Sequence, residues 1–121
     1  MKISKPTFEF EDQKGYFKEI IQGEWKAMNL AMRKKGTTSA DHYHAHTTEC
    51  FYVVYGDCDF IITDVKTGLE TRHRVKQNQI FIVDKMENVK IYYREDTLFV
   101  MLKDQYYDKN NPDIHRINKK E

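Results

Sequence analysis

Through the middle of the chain, apolar and polar positions alternate in short runs that stop at turn residues. Trp25-Lys26-Ala27-Met28-Asn29-Leu30-Ala31-Met32-Arg33 puts Met28, Leu30 and Met32 on one face and smaller or polar groups on the other, the period of two of a half-buried strand. On that pattern Met28, Leu30 and Met32, together with Met101, are expected in the core. Cys50 to Tyr55 and Cys58 to Val65 are β-branched and aromatic runs broken by Gly56-Asp57, which predicts a hairpin or a sharp corner. Further strands are predicted over 70–75, 79–83, 89–94 and 97–103, with Glu95-Asp96 turning the chain between the last two. Helical periodicity is nearly absent, apart from a turn's worth near the C-terminus. Short strands at this spacing predict an all-β sandwich or barrel.

Composition narrows the class. The chain has 121 residues, 40% of them hydrophobic, 13% aromatic and 32% charged, with a formal net charge of +1. That is one domain's length with enough aromatic area for a single core, which excludes a disordered chain. The balanced charge gives no field for a nucleic-acid backbone, so nucleic acid is not an expected partner. No apolar run approaches the roughly 20 residues of a membrane span. The start Met1-Lys2-Ile3-Ser4-Lys5-Pro6 lacks the apolar middle of a signal peptide, so the expected location is the cytoplasm, with no membrane partner. Cys50 and Cys58 form no C-x-x-C pair and read as reduced packing residues. The organisation is read as a β-barrel domain over 1–108 and a loose polar tail over 109–121.

Five residues are His, and three of them, His42, His44 and His46, crowd into one segment. Its spacing is Gly36, five residues, His42, one residue, His44, four residues, Glu49, six residues, Gly56. Side chains two apart on a strand share a face, so His42 and His44 are expected to project together. Glu49 lies at an odd offset and joins them only if the chain turns or bulges, for which Thr47-Thr48 is the expected place. Two imidazoles and a carboxylate make a three-ligand set for a divalent transition metal with positions left open.

This segment resembles the first signature motif of the cupin superfamily at every fixed position. The resemblance implies a small antiparallel barrel of the double-stranded β-helix type, or jelly roll, with His42, His44 and Glu49 facing its interior. The second cupin motif is degenerate over Val75 to Val89: Asn78, Asp84 and Met86 replace its Gly, Pro and Gly, and Val89 replaces its His ligand. A metal (Zn, Fe, Mn or Ni) on His42, His44 and Glu49, with His46 as a substitute ligand, and a metal-free cavity both remain open; no organic cofactor is expected.

Both ends look similar to cupins of surface-polysaccharide biosynthesis, such as the dTDP-sugar 3,4-ketoisomerases and the cupin domain of capsular-polysaccharide epimerase/reductases. The likeness rests on Gly15-Tyr16-Phe17-Lys18-Glu19 at the entry and on Asp104-Gln105-Tyr106-Tyr107-Asp108 with Asn110-Asn111-Pro112-Asp113 at the exit. It implies isomerisation or epimerisation of a nucleotide-linked keto-sugar by proton transfer, with His42 or His44 as base and Tyr43, Tyr52 or Tyr92 assisting. Arg72, Arg74 and Tyr106 are the expected substrate contacts. The alternatives are a non-catalytic cupin that binds a metal or small ligand, and a metal-dependent oxygenase. Cupins are commonly dimers that exchange an N-terminal strand, so a homodimer is expected, with residues 1–14 as the exchanged segment and Thr7-Phe8-Glu9-Phe10-Glu11 alternating as an edge strand would. His73 is expected on a solvated strand face, and His115 is read as incidental to the site.

Overall fold

A computed structural model of the protein describes residues 1–117, which form eleven strands and no helix. In chain order they are β1 (Lys2–Ser4), β2 (Phe8–Asp12), β3 (Gly15–Glu19), β4 (Ala27–Arg33), β5 (Thr38–His42), β6 (Glu49–Tyr55), β7 (Asp57–Asp64), β8 (Glu70–Lys76), β9 (Ile80–Val83), β10 (Glu87–Tyr93) and β11 (Thr97–Lys103). One sheet runs β1-β9-β6-β11-β4 and a second runs β5-β10-β7-β8, all pairs antiparallel, while β2 and β3 form a separate hairpin. The all-β reading is correct, and each strand predicted from alternation over 50–103 is present. Among the described residues no helix is long and apolar enough to cross a membrane.

Alternation sets which side chains enter the space between the two sheets. Phe51 and Val53 of β6, Phe60 and Ile62 of β7, Phe81 of β9, Val89, Ile91 and Tyr93 of β10 and Phe99 of β11 form the main core. Its aromatic rings are in contact: Phe51 and Phe60 are T-shaped at 4.9 Å between centroids, and Phe60 meets Phe81 at a tilt at 4.6 Å. Cys50 and Cys58 are buried and free, and burial pushes their thiols up to about 11 and about 12, consistent with inert packing residues.

The chain passes between sheets at tight corners. Gly56 joins β6 to β7 at φ 119°, and a Cβ there would lie 2.6 Å from Thr97 Cα and 2.8 Å from the Asp96 carbonyl oxygen. Both the torsion and the close backbone approach require glycine. Gly56-Asp57 is thus a corner between sheets, not a hairpin turn, and Glu95-Asp96 likewise carries the chain from β10 to β11 across the sandwich.

Two sequence expectations fail on the direction of a face. Met28, Leu30 and Met32 do share a face of β4, but it is the outer one, and Met28 is 72% exposed. Ile20, Ile21 and Trp25 cover the same outer side of the sheet over Cys50, Ile80 and Ile82, and the apolar face of β4, at the sheet edge, is left exposed beyond them. His73 is half-buried, not solvated: it shares the inward face of β8 with Val75, and its ring lies 5.4 Å from that of Phe81. Residues 8–12 pair with residues 15–19 of the same chain, and β1 pairs with its own β9. The hairpin presents an exposed cluster of Phe8, Phe10 and Phe17, with Phe10 and Phe17 stacked at 5.7 Å.

Gly56→Ala is expected to destabilise the fold by on the order of 3 kcal/mol, because no flexible side chain can yield to the new methyl group. Chemical denaturation of both proteins checks this. A midpoint unchanged within error would contradict the corner as described.

Candidate functional site

The site lies at one end of the space between the sheets. β5 does not run regularly into it. Ala40 and Asp41 both take left-handed φ values, 70° and 69°, and the β10–β5 register shifts between Val89 and Lys90. Such torsions are costly for residues with a side chain and persist only where surrounding contacts enforce them. Their effect is visible in what faces inward: Ser39, Ala40 and His42 all line one cavity, which a straight strand could not arrange. β5 ends at His42, and residues 44–48 form the loop that returns the chain to Glu49, the first residue of β6. The odd offset of Glu49 is thus absorbed by a loop, and His42, His44 and Glu49 meet at one cavity.

That cavity has a volume of about 280 Å³. Its apolar wall includes Phe51, Val89, Ile91 and Phe99, and its polar rim includes Asn29, Arg33, Ser39 and Lys103. His44 is 5% exposed and Glu49 2% exposed, while His42 is partly buried. The two imidazole rings lie 5.1 Å apart. His44 Nδ1 is hydrogen-bonded to the backbone carbonyl of Asp113, so Nδ1 carries the proton. Its Nε2 lies 3.2 Å from Glu49 Oε2, an ion-pair distance without the alignment of a hydrogen bond. His42 Nδ1, His44 Nε2 and Glu49 Oε1 are all buried without a protein hydrogen-bond partner. Buried polar atoms are rarely left unpaired, and three on neighbouring side chains of one cavity mark a place built to receive polar groups.

The environment drives the two imidazoles apart. Burial lowers the His42 pKa below 6.5, and the positive charge of His44 lowers it further, with Arg116 and Lys103 adding to this and Glu49 opposing it. For His44 burial also works against the charge, but the Glu49 carboxylate and the Asp113 carbonyl and carboxylate outweigh it and raise its pKa above 6.5. Of the two, His42 is therefore the one whose surroundings favour the neutral form and His44 the one whose surroundings favour the charged form.

The remaining sequence candidates separate clearly. Tyr43 bridges to His115 through its backbone and rests its ring 5.2 Å from the His115 ring, outside the cavity lining. His115 is therefore not incidental. Tyr52 faces the other side of β6, where its hydroxyl donates to Asn78 Oδ1, because Glu49, Phe51 and Val53 occupy the inward positions. Tyr92 is turned outward on β10 for the same reason, between inward Ile91 and Tyr93. Neither tyrosine reaches the site. Arg72 and Arg74 stand on the outer face of β8 and are committed to Asp59 and Asp57 at 2.8 and 2.6 Å, so they are fold contacts and do not line the cavity. His46 and Tyr106 line an outer cleft of about 150 Å³ that shares His44, Lys103 and Ile114 with the cavity. Sequence reading missed Arg33, Lys103 and Ser39 on the cavity rim, Tyr93 bonded to Ser39 at 2.6 Å, and Asp113. Inward parity of 89, 91 and 93 would have favoured Tyr93 over Tyr92; nothing local to Asp113 links it to the His loop.

Among the described residues no group of three or more His, Cys, Asp or Glu side chains is placed to hold an ion. His46 is exposed in the outer cleft, and the fourth motif position is the buried apolar Val89, directly opposite His42 in the β10–β5 register.

Solved structures similar to this chain share its fold. The capsular polysaccharide assembling protein CapF from Staphylococcus aureus superposes with a TM-score of 0.71 at 21% identity over 90% of this chain. This chain spans about a third of CapF, covering 33% of its length. The dTDP-6-deoxy-D-glucose-3,5-epimerase RmlC from Legionella pneumophila, solved with dTDP-4-keto-L-rhamnose, gives 0.75 at 17% identity, covering 90% of this chain and 69% of that one. The QdtA 3,4-ketoisomerase from Thermoanaerobacterium thermosaccharolyticum, solved with TDP, gives 0.78 at 15% identity, covering 95% and 86%. No curated protein matches the sequence. The family model for the polysaccharide biosynthesis C-terminal domain matches residues 10–115, nearly the whole barrel together with the segment that carries Asp113. With its cupin-type barrel, the chain belongs to the polysaccharide biosynthesis C-terminal domain family.

Proposed function

We propose that this protein isomerises or epimerises a nucleotide-linked keto-sugar by proton transfer between imidazoles in the barrel cavity. The observation that carries the reading is the pair His42 and His44, 5.1 Å apart at one cavity, with environments that favour opposite protonation states. A site with one neutral and one protonated histidine has a base and an acid in place together. His42, with a free ring nitrogen, takes the proton from the carbon beside the sugar carbonyl, and the bonding pair moves on to the carbonyl oxygen. His44, protonated and held against Glu49, supplies a proton or hydrogen bond to that oxygen. Return of a proton to the same carbon from the other face epimerises it; return at the neighbouring carbon, with loss of the hydroxyl proton, moves the carbonyl. Arg33 and Lys103 on the cavity rim suit the charge of a diphosphate. Similarity of the fold to an epimerase and a ketoisomerase that were solved with sugar nucleotides or TDP supports the substrate class.

Incubated with dTDP-4-keto-6-deoxyglucose in deuterated water, the protein is expected to place deuterium at a ring carbon next to the carbonyl, read by proton NMR. His42→Ala is expected to slow that exchange by about a hundredfold or more. Exchange no faster than in a protein-free sample, across a panel of dTDP-, UDP- and GDP-linked keto-sugars, would contradict the proposal.

The exposed aromatic face of the β2–β3 hairpin and the outer face of β4 are two apolar surfaces left uncovered in one chain. We infer that a second copy covers them, giving a homodimer. Sedimentation at micromolar concentration is expected to give twice the 14.6 kDa chain mass, and Phe10→Asp to shift it toward the single chain. A native protein that sediments as a monomer would contradict this.

A further inference from the structure

The segment from Asp113 to Arg116 lies beyond the last strand, yet it holds the loop that carries the imidazoles. Asp113 Oδ1 accepts from the Ala45 backbone N–H at 2.8 Å, and Oδ2 accepts from the His46 backbone N–H at 2.7 Å and the Thr47 hydroxyl at 2.9 Å. His115 Nε2 lies 3.0 Å from the same carboxylate. The Tyr43 and His115 backbones exchange two hydrogen bonds, at 2.9 and 3.0 Å, and Arg116 donates to the Asp41 carbonyl at 2.9 Å. Asp41 and every residue from Tyr43 to Thr47 are therefore tied to this strap. The carbonyl that fixes the His44 ring belongs to Asp113 itself.

We propose that Asp113 is a positioning residue: its carboxylate grips residues 45–47 and so keeps its own backbone carbonyl on His44 Nδ1, which sets the His44 tautomer and leaves Nε2 to Glu49 and the cavity. The carboxylate is suited to this because both oxygens only accept. Two backbone N–H groups and a hydroxyl point at it, and an asparagine would turn one of those acceptors into a donor facing N–H. The Asp113 pKa supports the assignment: burial would raise it, but the bonds from Ala45, His46, Thr47 and His115 lower it to about 2, so the grip is charged across the whole working range. Ile114 lines both the cavity and the outer cleft, so the strap also walls the mouth between them. The catalytic consequence rests on the reading of His44 as the acid; the tautomer itself does not.

The test is long-range ¹H–¹⁵N correlation of the full chain labelled at histidine, recorded above the His44 titration. Wild-type His44 is expected as the Nδ1–H tautomer, the minor form of free histidine. Asp113→Asn and Asp113→Ala are each expected to shift it to the Nε2–H form, with the fold intact by thermal melting and kcat on the keto-sugar reduced tenfold or more at a KM within twofold. A wild-type His44 in the Nε2–H form overturns the assignment without any variant having to fold. Variants that keep the Nδ1–H form overturn it as well, whatever their activity. If wild type turns over no keto-sugar, the proposed function fails while the tautomer result still decides the role of Asp113.

Discussion

A carboxylate that is 2% exposed is the constraint around which this site is organised. An ionised group taken out of water and left unpaired costs several kcal/mol, comparable to the whole stability of a small domain. Glu49 sits at the start of β6, between Val83 of β9 and Lys103 of β11 in the sheet register, and the closest cationic partner is His44 Nε2 at 3.2 Å. The Glu49 charge therefore favours a proton on His44. That proton in turn repels one on His42, which the apolar surroundings, including Val89 opposite, already disfavour. One buried acid thus orders the protonation of two histidines.

The fold has to hold this arrangement against its own cost. Two left-handed residues, Ala40 and Asp41, bend β5 so that consecutive side chains enter the cavity, and the β10 register shift accommodates the bend. Nothing in the β5 sequence would keep those torsions in isolation. They are held from outside by Arg116 of the strap, which donates to the Asp41 carbonyl, and by the Asn88 side-chain amide, which donates to Asp41 Oδ1. Stabilising contacts at the rim and strained torsions at the site are two sides of one arrangement, in which the barrel is rigid and the His loop is fastened to it late in the chain.

The strands were legible because alternation of Phe, Val, Ile and Cys with polar residues directly reports a two-sided sheet. His42 and His44 were legible as a pair from their spacing, and Glu49 joined them through the likeness of the segment to the first cupin motif. Errors arose where parity or long-range pairing decided the outcome. Tyr52 and Tyr92 are polar-tipped aromatics on the right strands, but inward Glu49 and inward Val89 fix the parity that turns both away. Arg72 and Arg74 looked free because their partners, Asp59 and Asp57, lie across the β7–β8 register. Met28, Leu30 and Met32 form a true apolar face, yet only topology shows that β4 is an edge strand whose outer side has no layer over it. Asp113 could not be found locally, since its partners are more than sixty residues earlier in the chain.

The central claim is that the two cavity histidines are held in opposite protonation states, and ¹⁵N NMR titration of the histidine rings in the substrate-free protein tests it most directly. The groups that bear on them are Glu49, Asp113, Lys103 and Arg116, all assigned above. The account predicts a His44 midpoint above 6.5 and a His42 midpoint below it, so that between the two only His44 is charged. Midpoints in the reverse order, or both on the same side of 6.5, would contradict it.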